Sequence, residues 1–447
     1  MNNKIIKRSI LASVMMILVF NQITNCQTTY PSQGKTDKDS LTLKDIIKVV
    51  VTTHPTVKVA EEAIKNADSR IGLARSGYYP EIDMTGSFAN IGPVTKLTIP
   101  DFGTFQLYPN NNYSASFNYR QVVYDFGRTR QNIEVENENK ALGEQAIEQV
   151  KQKLSLFTVN SFYTLLFLQA AIKIKDEQIA ALKEHLNQVE KMMATGSATE
   201  YQVLATKVKI STVEGQKVDL IAALTAQQAA MNSLLGSNYS TYPVVKNELI
   251  AEPPVIPADS LLAYAFHNRD EVIMNQKKTA LAELRYGVAK LHNKPMLSFQ
   301  ASAGAKNGYI PDLNKLTPNY VLGIGLRIPI FDGMKNKYSV SQAQSAITSL
   351  RYESDFTRRN ISNELFEAEA YMSAAEKKVS QFILQLSQAE KANSLAETSF
   401  KSGVITNLDL LDANTSVSES RLMLLKARID YAASIYKLKA ALGERIY

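Results

Sequence analysis

The chain has 447 residues, of which 45% are hydrophobic and 21% charged, which excludes a disordered chain and a polytopic membrane protein. Its single cysteine excludes an intrachain disulfide, and its four histidines are too far apart in sequence to predict a metal site or any other cofactor site. The formal charge of +7 includes three charges in the first eight residues, and the remainder is too weak and scattered to favour nucleic acid as a partner.

Residues 1–25 are predicted to be a signal peptide, because basic residues precede an apolar run at 9–20 that is too short to span a bilayer. Cys26 follows and is a candidate for lipidation. The alternative is ordinary cleavage nearby, because Ile23-Thr24-Asn25 lacks the usual small residue before the cysteine. Residues 26–40 are polar and are predicted to be a flexible lead-in. No later segment approaches the length of an apolar membrane helix, so an exported chain that spans a membrane must do so with strands.

The rest of the chain is an internal repeat. Repeat 1 covers 41–241, a proline-rich linker covers 242–257, and repeat 2 covers 258–443. Each copy is predicted to contain a helix, a strand, a loop, a strand, a long helix, a turn and a second helix. Asp125 recurs as Asp332 and Gly196 as Gly403, both 207 residues later.

Four strands are predicted, at about 81–90, 113–124, 296–306 and 320–331, where apolar side chains alternate with small or polar ones. Such segments are typical either of a soluble sheet with one packed face or of transmembrane strands with a watery interior. Four strands cannot close a barrel, and open edges are not tolerated in lipid. A membrane protein would therefore need several chains to share one barrel, and three chains would supply about twelve strands.

Two long helices are predicted between Gly127 and Gly196 and between Gly333 and Gly403, because neither interval contains proline and Gly143 is the only internal glycine. Each would be about 100 Å long, which favours coiled-coil packing into helical hairpins that turn near 196 and near 403. The predicted fold class is mostly α with a small β part.

These features resemble the TolC-like outer-membrane efflux channels. The residues that carry the resemblance are Tyr79-Pro80, the Ile-Pro-Ile-Phe-Asp-Gly of 328–333, the Gly-Val-Ile-Thr-Asn-Leu-Asp-Leu-Leu-Asp-Ala of 403–413 and the Ala-Ala-Leu-Gly of 440–443. The resemblance implies a homotrimer whose β-barrel lies in outer-membrane lipid and whose α-helical tunnel crosses the periplasm. It also implies an exit duct of a tripartite efflux pump or of type I secretion. The partners would be a periplasmic adaptor and an inner-membrane transporter of the RND, ABC or MFS type.

The resemblance also implies roles for residues near the second turn. Asp409 and Asp412 match aspartates that ring the periplasmic entrance, and their spacing puts both on one helix face. The alternative is a pair of solvated helix charges. Crowding in a trimer would be expected to raise their pKa values. Phe400 matches an aromatic of the closure latch, whose usual charged partners are replaced here by Ile405 and Gln202.

The two turns are predicted to be adaptor contacts, although their glycines are also what a turn between helices requires. They are Gly196, Ser197, Ala198 and Thr199, and Gly403, Val404, Ile405 and Thr406. Arg120 and Arg327 are equivalent in the repeat and fall in the polar strand phase. They would either line the barrel lumen or meet lipid headgroups at its rim.

An enzyme is not predicted, because the chain contains no phosphate-binding loop, no GxSxG or HExxH motif, and no cysteine near a histidine. The alternative to a channel is a coiled-coil scaffold or adhesin on the cell surface, which would conduct no ions in a bilayer.

Overall fold

The computed structural model describes residues 42–101, 103–236, 252–254, 256–257 and 260–447. The predicted signal peptide, the lead-in with Cys26 and most of the predicted linker lie outside these residues. The described part of repeat 1 forms α1 (Leu43–Thr53), α2 (Pro55–Arg75), β1 (Glu81–Asn90), β2 (Lys96–Ile99), β3 (Gly103–Gln106), β4 (Asn111–Tyr124), α3 (Arg128–Ala194) and α4 (Glu200–Leu235). The second half forms α5 (Leu261–Asn268), α6 (Asp270–Leu291), β5 (Met296–Lys306), β6 (Thr317–Arg327), α7 (Lys335–Lys401) and α8 (Asn407–Leu442).

The repeat is visible in the helix bounds. Helices α7 and α8 begin and end 207 residues after α3 and α4, so the long helices have 67 residues in both copies and the returning helices have 36. Absence of proline and near absence of glycine allow such lengths, since these are the residues that interrupt a helix. The chain is mostly helical, as its sequence predicts.

Two details of the strands differ from the prediction. Strand β6 ends at Arg327, and residues 328–331 are not strand, because Pro329 has no N–H for a ladder hydrogen bond. The short antiparallel pair β2–β3 was not predicted. It occupies the loop that is longer in the first copy, where Leu97 lies opposite Phe105.

Strands β1, β4, β5 and β6 form one antiparallel sheet in that order. The register puts apolar side chains on one face and polar or small ones on the other, as the alternation predicts. The apolar face is exposed and includes Met84, Phe117, Tyr320 and Leu322. In the described residues, β1 and β6 each have one edge without a strand partner.

Helix α3 is the centre of the helical part and packs against α1, α2, α4, α6 and α8. The largest apolar core joins α1, α3, α4 and α8 and contains Ile46, Phe162, Leu165, Met231 and Ala432. An 18-residue segment of α3 is long and apolar enough to cross a membrane, contrary to the expectation that no later segment approaches that length. Its apolar side chains are explained by the core, because 56% of the segment is buried.

The start of α6 is tied to the end of α8. The buried Arg269 side chain donates hydrogen bonds to the carbonyl oxygens of Ala440 and Ala441 and pairs with Glu364 of α7 at 2.8 Å. Next to it, Asp270 receives two hydrogen bonds from Arg445, at 2.7 and 2.8 Å. A buried carboxylate held by a two-pronged guanidinium fixes the orientation of both groups, so this junction sets how the second hairpin joins its connecting helices.

Two equivalent glycines provide a test of this close packing. Gly236 and Gly443 both end a returning helix with positive φ. A Cβ on Gly443 would lie 2.7 Å from the carbonyl carbon of Asn268, whereas one on Gly236 would meet no atom of the described residues within 4 Å. We expect Gly236→Ala to cost about 1 kcal/mol of stability through backbone strain, and Gly443→Ala about 1–3 kcal/mol more through the clash. The measurement is the temperature at which the detergent-solubilised protein loses its helical circular dichroism. Equal shifts in the two variants would contradict the close approach.

Candidate functional site

The second turn, between α7 and α8, carries the residues singled out in the sequence. Gly403 has a φ of +74°, which lets the chain reverse. Thr406 is the N-cap of α8: its hydroxyl accepts a hydrogen bond from the backbone N–H of Asp409 at 3.3 Å. The Asp409 carboxylate in turn accepts from the backbone N–H and the hydroxyl of Thr406, at 2.9 and 2.7 Å. This reciprocal pair is a capping box, so Asp409 has a structural role at the start of α8.

Asp409 and Asp412 are both exposed and lie on one face of the first two turns of α8. Within one chain the hydrogen bonds from Thr406 lower the pKa of the Asp409 carboxyl. The capping hydrogen bonds have this effect because they stabilise the ionised form. Crowding with carboxylates of other copies would act in the opposite direction, because neighbouring negative charges favour the neutral form.

The first turn, between α3 and α4, repeats this arrangement without the charge. Gly196 has a φ of +78°, and Thr199 is the N-cap of α4. The Gln202 side-chain oxygen accepts from the backbone N–H of Thr199 at 2.9 Å. Gln202 therefore occupies the place that Asp409 has in the second turn, and the same cap is made with a neutral amide.

The three residues assigned to the closure latch lie at one junction between the two turns. Phe400 is only 7% exposed and packs with Val189, Val203 and Leu410, and Ile405 packs against the same cluster. The backbone carbonyl oxygen of Gln202 faces α8 at this junction, where it accepts a hydrogen bond from Asn407. At this junction the three residues thus take part in an apolar contact and in a hydrogen bond between an amide side chain and a backbone carbonyl.

Sequence reasoning missed two residues of this junction, His185 and Asn407. The His185 Nε2 atom lies 2.6 Å from Oδ1 of Asn407, and the His185 ring meets the Phe400 ring edge to face, with 5.2 Å between centroids. The two residues are 222 positions apart, so no local pattern could connect them. The one available signal is a polar Asn407 among apolar neighbours directly after an N-cap.

Arg120 and Arg327 both lie on the polar face of the sheet. Arg120 is opposite Glu81 in the register, with 3.9 Å between their charged atoms. Arg327 is opposite Met296. Hydrogen bonds between β1 and β4 continue along the same face, including Thr85–Ser116 at 3.1 Å and Ser87–Ser114 at 2.7 Å. This face is therefore suited to water, and an acidic side chain partly offsets the positive charge of Arg120.

Two long antiparallel hairpins that continue from an amphipathic sheet with an exposed apolar face define a channel of the outer membrane of Gram-negative bacteria. The chain belongs to the outer membrane efflux protein family, whose model matches residues 47–237 and 262–444. It is thus a TolC-like efflux and secretion channel, as the sequence resemblance predicts, and its family consists of transport channels.

Curated relatives cover most of the chain at low identity. The solvent efflux pump outer membrane protein SrpC of Pseudomonas putida is 22% identical over 93% of this chain and 88% of its own length. The cation efflux system protein CusC of Escherichia coli is 22% identical over 95% and 90%. The alkaline protease secretion protein AprF of Pseudomonas aeruginosa is 21% identical over 74% and 70%.

The fold has also been solved in relatives. A crystal structure of CusC, from work on the conformational changes that accompany its folding and transmembrane channel formation, matches this chain with a TM-score of 0.76 at 18% identity. The match covers 94% of this chain and 96% of CusC. This likeness confirms the predicted combination of helical tunnel and β-strands.

The two capping boxes predict different responses to acid. A carboxyl whose pKa is lowered in the folded state adds stability above its ordinary pKa of about 3.9, and that stability is lost as the pH falls through the lowered value. The turn at Asp409 should therefore loosen below about pH 4, whereas the turn at Gln202 should not. Amide hydrogen exchange of 406–410 and of 199–203, each corrected for its intrinsic rate, measures this. Parallel loosening of both turns would contradict the assignment.

Proposed function

We propose that three copies of this chain form one outer-membrane channel that is the exit duct of a tripartite efflux pump or of type I secretion. In this proposal the four-stranded sheets join into a barrel of about twelve strands, and the long hairpins continue it as a periplasmic tunnel. The single observation that carries the proposal is the amphipathic sheet with unpaired edges on β1 and β6.

The edges and the apolar face together support an assembly of several copies. Unpaired backbone groups in lipid each cost several kcal/mol, so β1 of one chain needs β6 of another. Closure would turn the polar face inward, around water, and the exposed apolar face toward lipid. The same consideration disfavours the alternative of a surface scaffold, for which such an apolar face would be a liability.

Helix α7 supports the same assembly in the helical part. Aromatic side chains recur along one side of it and are more than half exposed in the single chain: Tyr338, Tyr352, Phe356, Phe366 and Tyr371. A row of exposed aromatics this long marks a surface that another element covers. We assign that surface to the neighbouring copy.

The two turns are proposed to meet the periplasmic adaptor. Exposed apolar side chains flank both of them, Tyr201 and Leu204 at the first and Val404 and Leu408 at the second.

SrpC, CusC and AprF are named for solvent efflux, cation efflux and protease secretion. We infer that the duct is general and that the inner-membrane transporter, of the RND, ABC or MFS type, selects the cargo.

At the entrance, Asp409 and Asp412 are proposed to form an acidic ring of six carboxylates, two from each copy. Such a ring concentrates cations, and a multivalent cation that bridges several carboxylates would obstruct it. Arg120 and Arg327 are proposed to lie on the watery side of the barrel, where Arg120 faces Glu81.

Neighbouring residues of β6 test the membrane assignment. Leu322 lies on the apolar face, opposite Ala301, and Val321 lies on the polar face, opposite Ser302; both are exposed in the single chain, at 66% and 61%. Leu322→Lys should cost about 2–4 kcal/mol if the site lies near the middle of the bilayer, and it should reduce the amount of folded protein in the outer membrane. Val321→Lys is the matched control and should be tolerated. Equal tolerance of both changes would contradict the barrel.

Conductance in planar bilayers tests the acidic ring. The double variant Asp409→Gln with Asp412→Asn removes the charge but keeps the cap, because Gln202 makes the same cap in the first turn. We expect it to lose cation preference and block by trivalent cations added from the periplasmic side. Asp409→Ala with Asp412→Ala should do the same and also weaken the cap of α8, because the carboxylate that accepts from Thr406 is lost.

The control removes two exposed acidic side chains of α7 that lie far from the turn, Asp355→Asn with Glu367→Gln. It should leave both properties unchanged. If the Gln/Asn variant retained wild-type selectivity and block, the two aspartates would not face the lumen.

A further inference from the structure

Asn407 connects three helices at the end of the helical part that carries the two turns. It is the first residue of α8 and only 3% exposed. Its Oδ1 atom lies 2.6 Å from Nε2 of His185 in α3. Its Nδ2 atom donates to the carbonyl oxygen of Gln202 at 3.3 Å and to Oγ1 of Thr206 at 3.2 Å, both in α4. One amide side chain therefore binds the second turn to both helices of the first hairpin.

The direction of each hydrogen bond is fixed by chemistry. Both Nδ2 hydrogens have acceptors in α4, so Oδ1 is the acceptor toward His185, and Nε2 of His185 must carry a proton. Both the neutral Nε2–H tautomer and the imidazolium meet that requirement. The contact among Asn407, His185, Gln202 and Thr206, called the clasp below, therefore requires no carboxylate and no ion pair.

The clasp lies beside the apolar cluster of Phe400, Val189, Val203 and Leu410, with the Phe400 ring against the ring of His185. Asn407 and Thr206 are buried, and His185 is half-buried. Hydrogen bonds of buried polar groups are costly to leave unmade. The equivalent position of the first hairpin, 207 residues earlier, is Glu200, which is exposed and begins α4 without such a contact. Among the described residues, the clasp is thus present at the second turn and not at the first.

We propose that Asn407 is a positioning residue that holds the entrance narrow, by fixing the start of α8 to α3 and α4. This rests on the proposed function, because Asp409 follows Asn407 by two residues on the same helix turn. While the clasp is made, the carboxylates keep their place beside the first hairpin. When it is broken, the second turn can move away from the first, and the entrance widens.

The first experiment compares Asn407→Ala with Glu200→Ala, which truncates the equivalent position of the other hairpin, by single-channel recording in planar bilayers. Asn407→Ala should raise the ratio of open to closed time about tenfold, the factor expected when the closed state loses a buried hydrogen bond. Glu200→Ala should behave like the wild type. An unchanged Asn407→Ala channel, or an equal increase in both variants, would overturn the proposal.

Where Asn407→Ala assembles poorly, Thr206→Val provides the same test. It removes the hydroxyl that accepts from Asn407 and keeps the volume of the side chain. It should give a smaller increase of the same kind, and wild-type behaviour would overturn the proposal.

The second experiment restores the clasp with a metal. Asn407→His would place a second imidazole within reach of His185, and imidazole nitrogen is a good ligand for Zn²⁺. It is made together with Asp409→Gln and Asp412→Asn, so that zinc cannot act on the carboxylates. Without zinc, this triple variant should be more open than the double variant Asp409→Gln with Asp412→Asn. Micromolar zinc should narrow the triple variant, and a chelator should reopen it. The same background with Asn407 retained should not respond. A zinc response in both, or in neither, would count against the clasp.

The outcomes separate this proposal from the one on which it rests. If the wild-type protein conducts no ions at all, the proposed channel fails. If it conducts but closes equally well with and without Asn407, the channel stands and the clasp fails.

Discussion

The backbone hydrogen bonds of the sheet are the constraint on which the rest of the molecule depends. Strands β1 and β6 each leave one edge unpaired in the part of the chain that the structure describes, while the apolar side chains of the sheet are exposed. Lipid can cover those side chains but cannot hydrogen-bond an open edge. A chain in this fold is therefore complete only when other copies supply the missing partners. The helical part must then be arranged around the same axis, because α3 and α7 follow β4 and β6 after three and seven residues.

The repeat explains how two similar hairpins acquire different tasks. Their backbones are the same: helices of equal length, a glycine with positive φ at each turn and a threonine N-cap with a capping box. The side chains differ at positions where more than one residue type is compatible with the same backbone. Gln202 and Asp409 make the same cap, yet only Asp409 carries charge. Glu200 faces solvent, whereas Asn407 is buried in the junction. The second turn thus has a charge and a contact that the first turn lacks, on the same backbone.

Much of this fold follows from local sequence signals, and the remainder depends on contacts between distant residues. Alternation of apolar and polar residues locates β1 and β5, and the absence of proline predicts the two 67-residue helices. Pro329 could have predicted the earlier end of β6, but the alternation of apolar residues through 328 and 330 favoured a longer strand. The lowered pKa of Asp409 could have been predicted from Thr406, because a threonine three residues before an acidic residue indicates a capping box. The pairing of Asn407 with His185 could not, because nothing in either segment specifies the other.

A clasp that requires no ion pair is well suited to a place beside the proposed acidic ring. Charged partners would be attracted or repelled by Asp409 and Asp412, and their strength would vary with ionic strength and with every cation that enters the channel. An amide that binds an imidazole, a hydroxyl and a backbone carbonyl has little net interaction with those carboxylates. The apolar cluster around Phe400 packs beside the contact, and Asn407 itself is buried. In the proposed channel, closure would then depend little on the cations that the proposed ring attracts, because the contact that holds the second turn contains no carboxylate for a cation to bind.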